Sequence, residues 1–244
     1  MKKIIVSVAI LSFALVALPS CTGLQEIANQ IGQQAANGTL GQAQIAAGLK
    51  EALQQGVDKQ VVKLTKTDGF YGNSLVKILL PAELQKVEKG LRAAGMGSLA
   101  DEGIKALNRA AEHAVKEATP IFVDAITKMT ISDATSILMG NKNAATQYLQ
   151  KATSQSLYNK FNPVIKSSFA KVGADKIWKD VISKYNAIPL VQKVNPDLTD
   201  YVTQEALKGV FTMIEKEELN IRDNVSARSS ALLKSVFALQ DNKK

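Results

Sequence analysis

The stretch "LADEGIKALNRAAEHAVKEA", residues 99–118, decides the fold class of this chain. Its apolar residues recur every three or four positions, which is the spacing of one face of an α-helix. The pair Thr119-Pro120 follows directly and predicts a break or kink, because proline lacks the N–H that a helix interior needs. Helical spacing then continues to Met129. The apolar face consists of Ile104, Leu107, Ala111, Ala114, Val115 and Ala118.

The segments before this stretch also show helical spacing. An apolar stripe with a four-residue step predicts a helix from Ala43 to about residue 61, and the glycines and aspartate of "KTDGFYGN" (66–73) end it. We expect "SLVKILLP" (74–81) to be briefly extended and Pro81 to open a helix that runs to about Ala94. The stripe consists of Ile45, Leu49, Leu53, Val57 and Val61.

The segments after it complete the pattern. Thr130 and Asp133 have the spacing of a capping box and predict a short helix that ends at Gly140. No sustained strand-type alternation and no repeat of fixed period occurs in the sequence. We therefore predict an all-α, single multi-helical bundle over residues 43–240. Its remaining helices are predicted at 142–160 and 163–171, separated by Asn162-Pro163, at 174–186, from the cap Asn195-Pro196-Asp197 to about Asn220, and at 227–239.

The first 20 residues resemble a bacterial lipoprotein signal peptide. A basic start precedes an apolar run, residues 4–18, that is shorter than the ~20 residues a bilayer-spanning helix takes. The run ends in Leu18-Pro19-Ser20-Cys21, which is similar to a lipobox. That resemblance implies cleavage before Cys21 and a diacylglycerol on its thiol. A lone cysteine also fits this chemistry, because it has no partner for an internal disulfide.

The residues after Cys21 predict the location of the protein. Residues 21–42 are rich in Gln, Asn, Gly and Ala, so we interpret them as a flexible lipidated tether. Thr22 is not the aspartate that retains many lipoproteins at the inner membrane, and no acidic cluster follows it. By resemblance to these sorting rules, the expected location is the cell envelope, at the periplasmic leaflet of the outer membrane.

Composition excludes several classes of function. The formal net charge is +8, but lysines supply most of the positive charge and no arginine-rich or aromatic-interleaved cluster occurs, so no nucleic-acid partner is expected. The chain has one histidine, His113, and one cysteine, which leaves no set for a zinc site, a cysteine nucleophile or a Ser-His-Asp triad. We predict no catalytic residues, no metal and no cofactor.

Three polar residues of the 99–118 helix form the first candidate site. On a helical wheel Asn108 lies at the border of the apolar face, Arg109 points away from it and Glu112 lies to the side. The interpretation we prefer is a solvated face with an Arg109–Glu112 ion pair. The alternative is that another helix covers this face and Arg109 enters a buried polar network.

Glu217 is the second candidate. It lies inside the broad apolar arc of its helix, so its carboxylate must be paired or protonated. The expected partners are Arg109, Arg222 or Arg228. A structural brace is one interpretation, and a ligand contact is the other, since perturbed carboxylates cluster at functional sites. The arc consists of Val202, Ala206, Val210, Met213, Ile214 and Ile221.

Aromatic residues recur at helical spacing in the second half of the chain. Trp178 with Tyr185 forms one set, and Tyr148 with Phe161 and Phe169 forms the other. Aromatic residues at this spacing are usually part of a core, so we predict packing rather than ligand stacking.

Several motifs in constant order resemble a widespread bacterial domain of unknown function that is found in secreted proteins and lipoproteins. The resemblance covers residues 43–240 and implies a helical periplasmic domain. It implies no catalytic residues. The motifs are "GLKEAL" (48–53), "NRAAEHA" (108–114), "PIFVDAITKMTISDATSIL" (120–138), "AATQYL" (144–149), "YVTQEALKGVFTMIEKEELNIR" (201–222) and "ALLKSVF" (231–237).

Three functions remain open at this point. The first is a non-catalytic module, held at the membrane by its lipid, that binds a protein or another envelope partner. The second is a carrier or sensor of a hydrophobic ligand such as a lipid, held between helices. The third is a hydrolase that uses carboxylates, which requires two of them to converge in a cleft.

Overall fold

Nine α-helices and no strand make up the described part of the chain, which confirms the predicted all-α class. This computed structural model describes residues 40–172, 174–187, 189–190, 193 and 197–241. The predicted signal peptide, Cys21 and nearly all of the tether lie outside these residues. The helices are α1 Gln42–Leu64, α2 Gln85–Ala93, α3 Gly97–Ala114, α4 Ala118–Lys128, α5 Ile131–Met139, α6 Ala144–Val172, α7 Ala174–Asn186, α8 Thr199–Asp223 and α9 Ala231–Asp241.

The longest helices form the centre of the bundle. Helix α6 packs along α8 on one side and α3 on another, while α1 crosses α4, α5, α8 and α9. Helices α2 and α7 lie at the edges, against α3 and α6. The predicted apolar stripes face the core: Leu49, Leu107 and Val210 are each at most 1% exposed. Phe122 and Phe211 meet edge to face, with ring centroids 6.0 Å apart.

The predicted capping box is present at the start of α5. The backbone N–H of Asp133 donates to Thr130 Oγ1 at 3.0 Å, and the N–H of Thr130 donates to Asp133 Oδ2 at 3.0 Å. The hydrogen bonds from the hydroxyl and the N–H of Thr130 lower the pKa of Asp133. Helix α5 ends at Met139, next to Gly140, as predicted.

Of the two predicted proline breaks, the one at Asn162-Pro163 is absent, and the one at Thr119-Pro120 is present but lies a few residues earlier. Helix α6 runs unbroken past Pro163, because Phe161 and Ile165 on either side are completely buried and their packing outweighs one missing hydrogen bond. Pro120 is the third residue of α4, in the first turn, where an N–H has no partner within the helix. The actual break is a 3₁₀ turn at Val115–Glu117.

The boundaries of α8 also differ from the prediction. The helix extends to Asp223 rather than Asn220, and it starts at Thr199. Asp197 accepts a hydrogen bond from the Thr199 N–H at 2.9 Å, while Asn195 and Pro196 lie outside the described residues. No helix in the described ranges combines the length and the hydropathy that crossing a bilayer takes.

Residues 65–81 connect α1 to α2 and lie across α3 and α8. Val76, Ile78 and Leu80 are buried while Leu75 and Leu79 are exposed, which is the alternation of an extended segment with one buried face. Gly209 of α8 makes room for this segment. A Cβ atom on Gly209 would lie 2.7 Å from the ring of Phe70 and 3.3 Å from Val76.

Substitution Gly209→Ala tests this close packing. The added methyl group collides with Phe70, so we expect the free energy of unfolding to fall by about 1–3 kcal/mol. Gly90→Ala is the matched control, because nothing lies within 4 Å of a Cβ at that helical glycine. The control should be neutral or gain up to about 1 kcal/mol from helix propensity. Urea denaturation of both variants measures the difference, and a Gly209→Ala protein as stable as Gly90→Ala contradicts the packing.

Candidate functional site

Asn108 of α3 binds the extended segment as a neighbouring strand would. Its Oδ1 accepts from the N–H of Ile78 at 2.8 Å, and its Nδ2 donates to the carbonyl of Ile78 at 2.8 Å. The same Nδ2 donates to the carbonyl of Ile104 at 2.8 Å. Asn108 is completely buried. Its amide therefore satisfies backbone groups that would otherwise be unpaired inside the protein.

Glu112 holds the preceding turn of the same segment. Its Oε1 accepts from the N–H groups of Phe70 at 3.1 Å and Tyr71 at 3.4 Å. Arg109 donates to Glu112 Oε2 at 2.5 Å and to Asp68 Oδ1 at 2.7 Å. Asp68 has a φ of +64°, a left-handed conformation that aspartate tolerates better than most residues. The hydrogen bond to Glu112 is the main cause that raises the pKa of Arg109.

The preferred interpretation of this face was partly wrong. The Arg109–Glu112 ion pair is present, but the side chain of Glu112 is only 4% exposed and that of Arg109 is 28% exposed. The covering element is not another helix. It is the 65–81 segment, whose backbone N–H groups bind the carboxylate.

Tyr201 of α8 fixes the other end of the segment. Its hydroxyl donates to the carbonyl of Leu79 at 2.9 Å. Burial is the main cause that raises the pKa of Tyr201 to about 12. Together with Asn108 and Glu112, it makes residues 68–79 a part of the bundle rather than a free loop.

Glu217 is buried, as expected from its place in the apolar arc, but its partners differ from those predicted. Lys59 Nζ lies 2.5 Å from Oε1, and Gln60 Nε2 donates to Oε2 at 2.7 Å. Asn220 adds a longer contact of 3.4 Å to Oε1. The expected arginines bind elsewhere because α1 covers this face of α8, while Arg222 lies on another face of α8 and Arg228 lies in the connection before α9.

Arg222 pairs with Glu218, which the sequence analysis missed. Glu218 accepts from the N–H groups of Ala145 at 3.0 Å and Thr146 at 2.8 Å, in the first turn of α6. Its Oε1 also lies 2.9 Å from Arg222 Nη2. The steps Ile214, Glu218 and Arg222 are four residues apart, so the helical spacing that identified Glu217 also places Glu218 on a buried stripe.

The arginines satisfy the carbonyl ends of two helices. Arg222 donates to Leu138 at 3.0 Å and Ile137 at 2.9 Å, in the last turn of α5. Arg228 donates to the carbonyls of Ile221 and Arg222 near the end of α8, and forms a two-pronged ion pair with Asp241. These are helix-end carbonyls without partners in their own helices. The two arginines therefore act as structural braces.

The predicted aromatic sets are part of the core where the structure describes them. Phe161, Phe169 and Trp178 are buried, and Tyr148 is half-buried against them. The side chain of Tyr185 lies outside the described residues.

A surface groove opens beside Glu217, and we name it the Glu217 groove. It has a volume of about 440 Å³ and lies between the last two turns of α1 and the second half of α8. Lysines surround the single deep carboxylate, which lies next to Lys59 and Gln60. The groove is also lined by Lys63, Met213, Lys216, Leu219, Asn220, Asp223 and Asn224.

The carboxylate in the groove binds side chains, whereas the carboxylates of the other polar clusters bind backbone N–H groups. Glu112 and Glu218 bind backbone N–H groups, which cannot leave without unfolding the backbone. Glu217 binds two side chains of α1, and the side chain of Lys59 is 49% exposed. Glu217 is therefore the predicted site residue that combines burial with access to the surface.

The described residues contain no group of three or more His, Cys, Asp or Glu arranged to hold a metal ion. A small enclosed cavity of about 20 Å³ lies under α1, lined by apolar residues with Glu218 and Arg222. It has room for about one water molecule.

Comparison with known proteins gives one match. The family model described as "Protein of unknown function (DUF4197)" matches residues 39–238. No curated protein and no solved structure matches the chain.

Substituting Glu217 and Glu218, which are adjacent in sequence, tests whether each carboxylate is a structural brace or part of the groove. In Glu218→Gln the buried Arg222 loses its counter-charge and the amide group faces backbone donors, so we expect a loss of about 3–5 kcal/mol. In Glu217→Gln the lost ion pair involves a half-exposed lysine, and the expected loss is about 1 kcal/mol. Thermal and urea unfolding compare the two variants. Equal destabilisation would contradict the distinction between brace and groove.

Asn108→Ala tests the hydrogen bonds between the Asn108 amide and the backbone of Ile78. It leaves the buried N–H and carbonyl of Ile78 without partners, and we expect a loss of about 3 kcal/mol. Asn162→Ala is the control, because that half-buried amide binds only the side chains of Tyr158 and Thr203. Its expected loss is below about 1 kcal/mol. If Asn108→Ala unfolds at the same urea concentration as the control, these hydrogen bonds do not hold the segment.

Proposed function

We propose that this chain, which belongs to the DUF4197 family of unknown function, is a lipid-anchored, non-catalytic binding module of the bacterial cell envelope. The proposed location is the periplasmic leaflet of the outer membrane. The proposed partner is a protein or another envelope component. The observation that carries the binding role is the Glu217 groove, an open polar cleft on a bundle whose other buried charges act as braces.

The anchor is supported by the order of features at the N-terminus. Basic residues, a short apolar run and the sequence Leu18-Pro19-Ser20-Cys21 follow one another without interruption. Two or three acyl chains bind a membrane much more firmly than one, since each buried methylene contributes about 0.8 kcal/mol. The surplus of lysine adds a general attraction to anionic headgroups.

A binding role is favoured over hydrolysis by the state of the acidic residues in the groove. Hydrolysis by carboxylates takes two groups with separate acid and base roles. Glu217 is paired with Lys59, and Asp223 accepts from Lys142 at 3.0 and 3.1 Å. Each acid is therefore engaged by its own cation rather than by the other acid.

A lipid carrier is less well supported. An acyl chain needs a pocket of several hundred Å³, which is the size of most ligand sites. The apolar cavity under α1 has a volume of only about 20 Å³. A pocket of about 590 Å³ lies beside Phe169 and Trp178, but it is open at the surface and Lys166, Lys176 and Lys179 also line it.

Substitution of Cys21 tests the anchor. We expect Cys21→Ser to abolish incorporation of radiolabelled palmitate and to move the protein from the membrane fraction to the soluble fraction of lysed cells. Thr22→Asp keeps the thiol and should keep the label, but should move the protein from the outer to the inner membrane on a sucrose gradient. Labelled or membrane-bound Cys21→Ser protein would refute the proposed anchor.

A further inference from the structure

We propose that the Glu217 groove binds the carboxyl terminus of a peptide chain. The inference deepens the proposed binding role, and it is independent of the lipid anchor. It rests on three features of the groove: lysines that form no ion pair within the described residues, a buried acceptor that none of these residues donates to, and an apolar wall.

The unpaired charge comes from Lys63 and Lys216. Both are exposed residues that line the groove, and neither forms an ion pair with any described residue. The charge of Lys59, by contrast, is balanced by Glu217 at 2.5 Å. Asp223 also lines the groove, but Lys142 donates to it at 3.0 Å. Lys63 and Lys216 therefore give the groove two positive charges that a carboxylate can neutralise.

The acceptor is the side-chain oxygen of Gln60. Gln60 is 2% exposed, and its Nε2 donates to Glu217 while its Oε1 accepts no hydrogen bond from the residues that the structure describes. A buried carbonyl oxygen without a partner is costly and rare in native proteins. A ligand N–H that reaches this oxygen from the groove, which Gln60 lines, would complete its hydrogen bonding.

The apolar wall comes from Met213 and Leu219. Met213 is buried, with its sulfur 3.7 Å from Asn73 Nδ2, and Leu219 is half-buried at the groove. Methionine adapts its shape to different apolar groups. A groove of about 440 Å³ has the size of a small ligand site, which suits one or two residues of a peptide.

A peptide carboxyl terminus supplies all three complements within one residue. Its carboxylate faces the lysines, its own amide N–H is two bonds from that carboxyl carbon, and its side chain contacts the apolar wall. Acetate satisfies the lysines but has no N–H. A phosphate group, free or in a lipid headgroup, satisfies the lysines but offers no apolar side chain.

The test uses the full-length acylated protein in detergent micelles and three probes. Isothermal titration calorimetry compares N-acetyl-alanyl-alanine with the same dipeptide capped as a carboxyl-terminal amide, and with inorganic phosphate. We expect the free acid to bind at least tenfold more tightly than the amide or the phosphate. Equal affinity for acid and amide, tighter binding of phosphate, or no binding of the acid at millimolar concentration would overturn the proposal.

Variants locate the site. Lys63→Gln with Lys216→Gln should weaken binding of the free acid at least tenfold. Lys86→Gln with Lys234→Gln removes the same charge from exposed positions on α2 and α9 and should leave affinity unchanged. Equal losses in the two double variants would show that net charge, rather than the groove, binds the probe.

Gln60→Met removes both the buried oxygen and the Nε2 group that donates to Glu217, so it tests the contribution of Gln60 apart from that of the lysines. It should weaken binding of the free acid at least threefold, while a melting temperature close to that of the unmodified protein shows that the fold is retained. Unchanged affinity would mean that the buried oxygen does not contact the ligand. Fractionation of Cys21→Ser reports on the anchor alone, so failure of the anchor and failure of the groove give different results.

Discussion

The i,i+4 ion pair between Glu218 and Arg222 joins three helices at the point where the chain turns back on itself. The last carbonyls of α5 and the first N–H groups of α6, only a few residues later, have no partner within their own helices. Arg222 donates to the first and Glu218 accepts from the second. The pair also has the charge order that the two helix dipoles favour, with the anion at an N-terminus and the cation at a C-terminus. One turn of α8 therefore fixes the angle between α5 and α6.

Buried polar side chains also pair with backbone groups in the 65–81 segment, where the chain is not helical. Residues 76–80 at the end of the 65–81 segment have the alternation of a strand, and Asn108 supplies the donor and acceptor that a neighbouring strand would supply. Glu112 supplies the acceptor for the adjoining turn. Buried polar side chains are costly unless every group is paired, and here the backbone provides the partners. An all-helical bundle can therefore hold an extended segment without a sheet.

Spacing in the sequence predicted the helices well because each one buries a stripe, and a stripe is a local property. It predicted the effect of prolines poorly. Whether Pro163 breaks a helix depends on how firmly Phe161 and Ile165 are packed, and that packing comes from other helices. The partners of Glu217 were missed for the same reason. The burial of Glu217 follows from the apolar arc of its own helix, but whether Lys59 or an arginine meets it depends on which helix covers that arc.

Glu217 and Glu218 are adjacent in sequence, and their difference explains why one bundle has both a brace and a binding groove. A step of one residue turns the helix by 100°, so the two carboxylates face different neighbours. Glu218 faces the start of α6, where its partners are backbone groups with no freedom to leave. Glu217 faces α1, where its cation is a flexible, half-exposed lysine. The side chain of Lys59 can leave Glu217 without moving the backbone, whereas Glu218 cannot lose its partners unless the start of α6 opens. The proposed ligand site therefore lies on the Glu217 side, where the partners of the carboxylate are side chains.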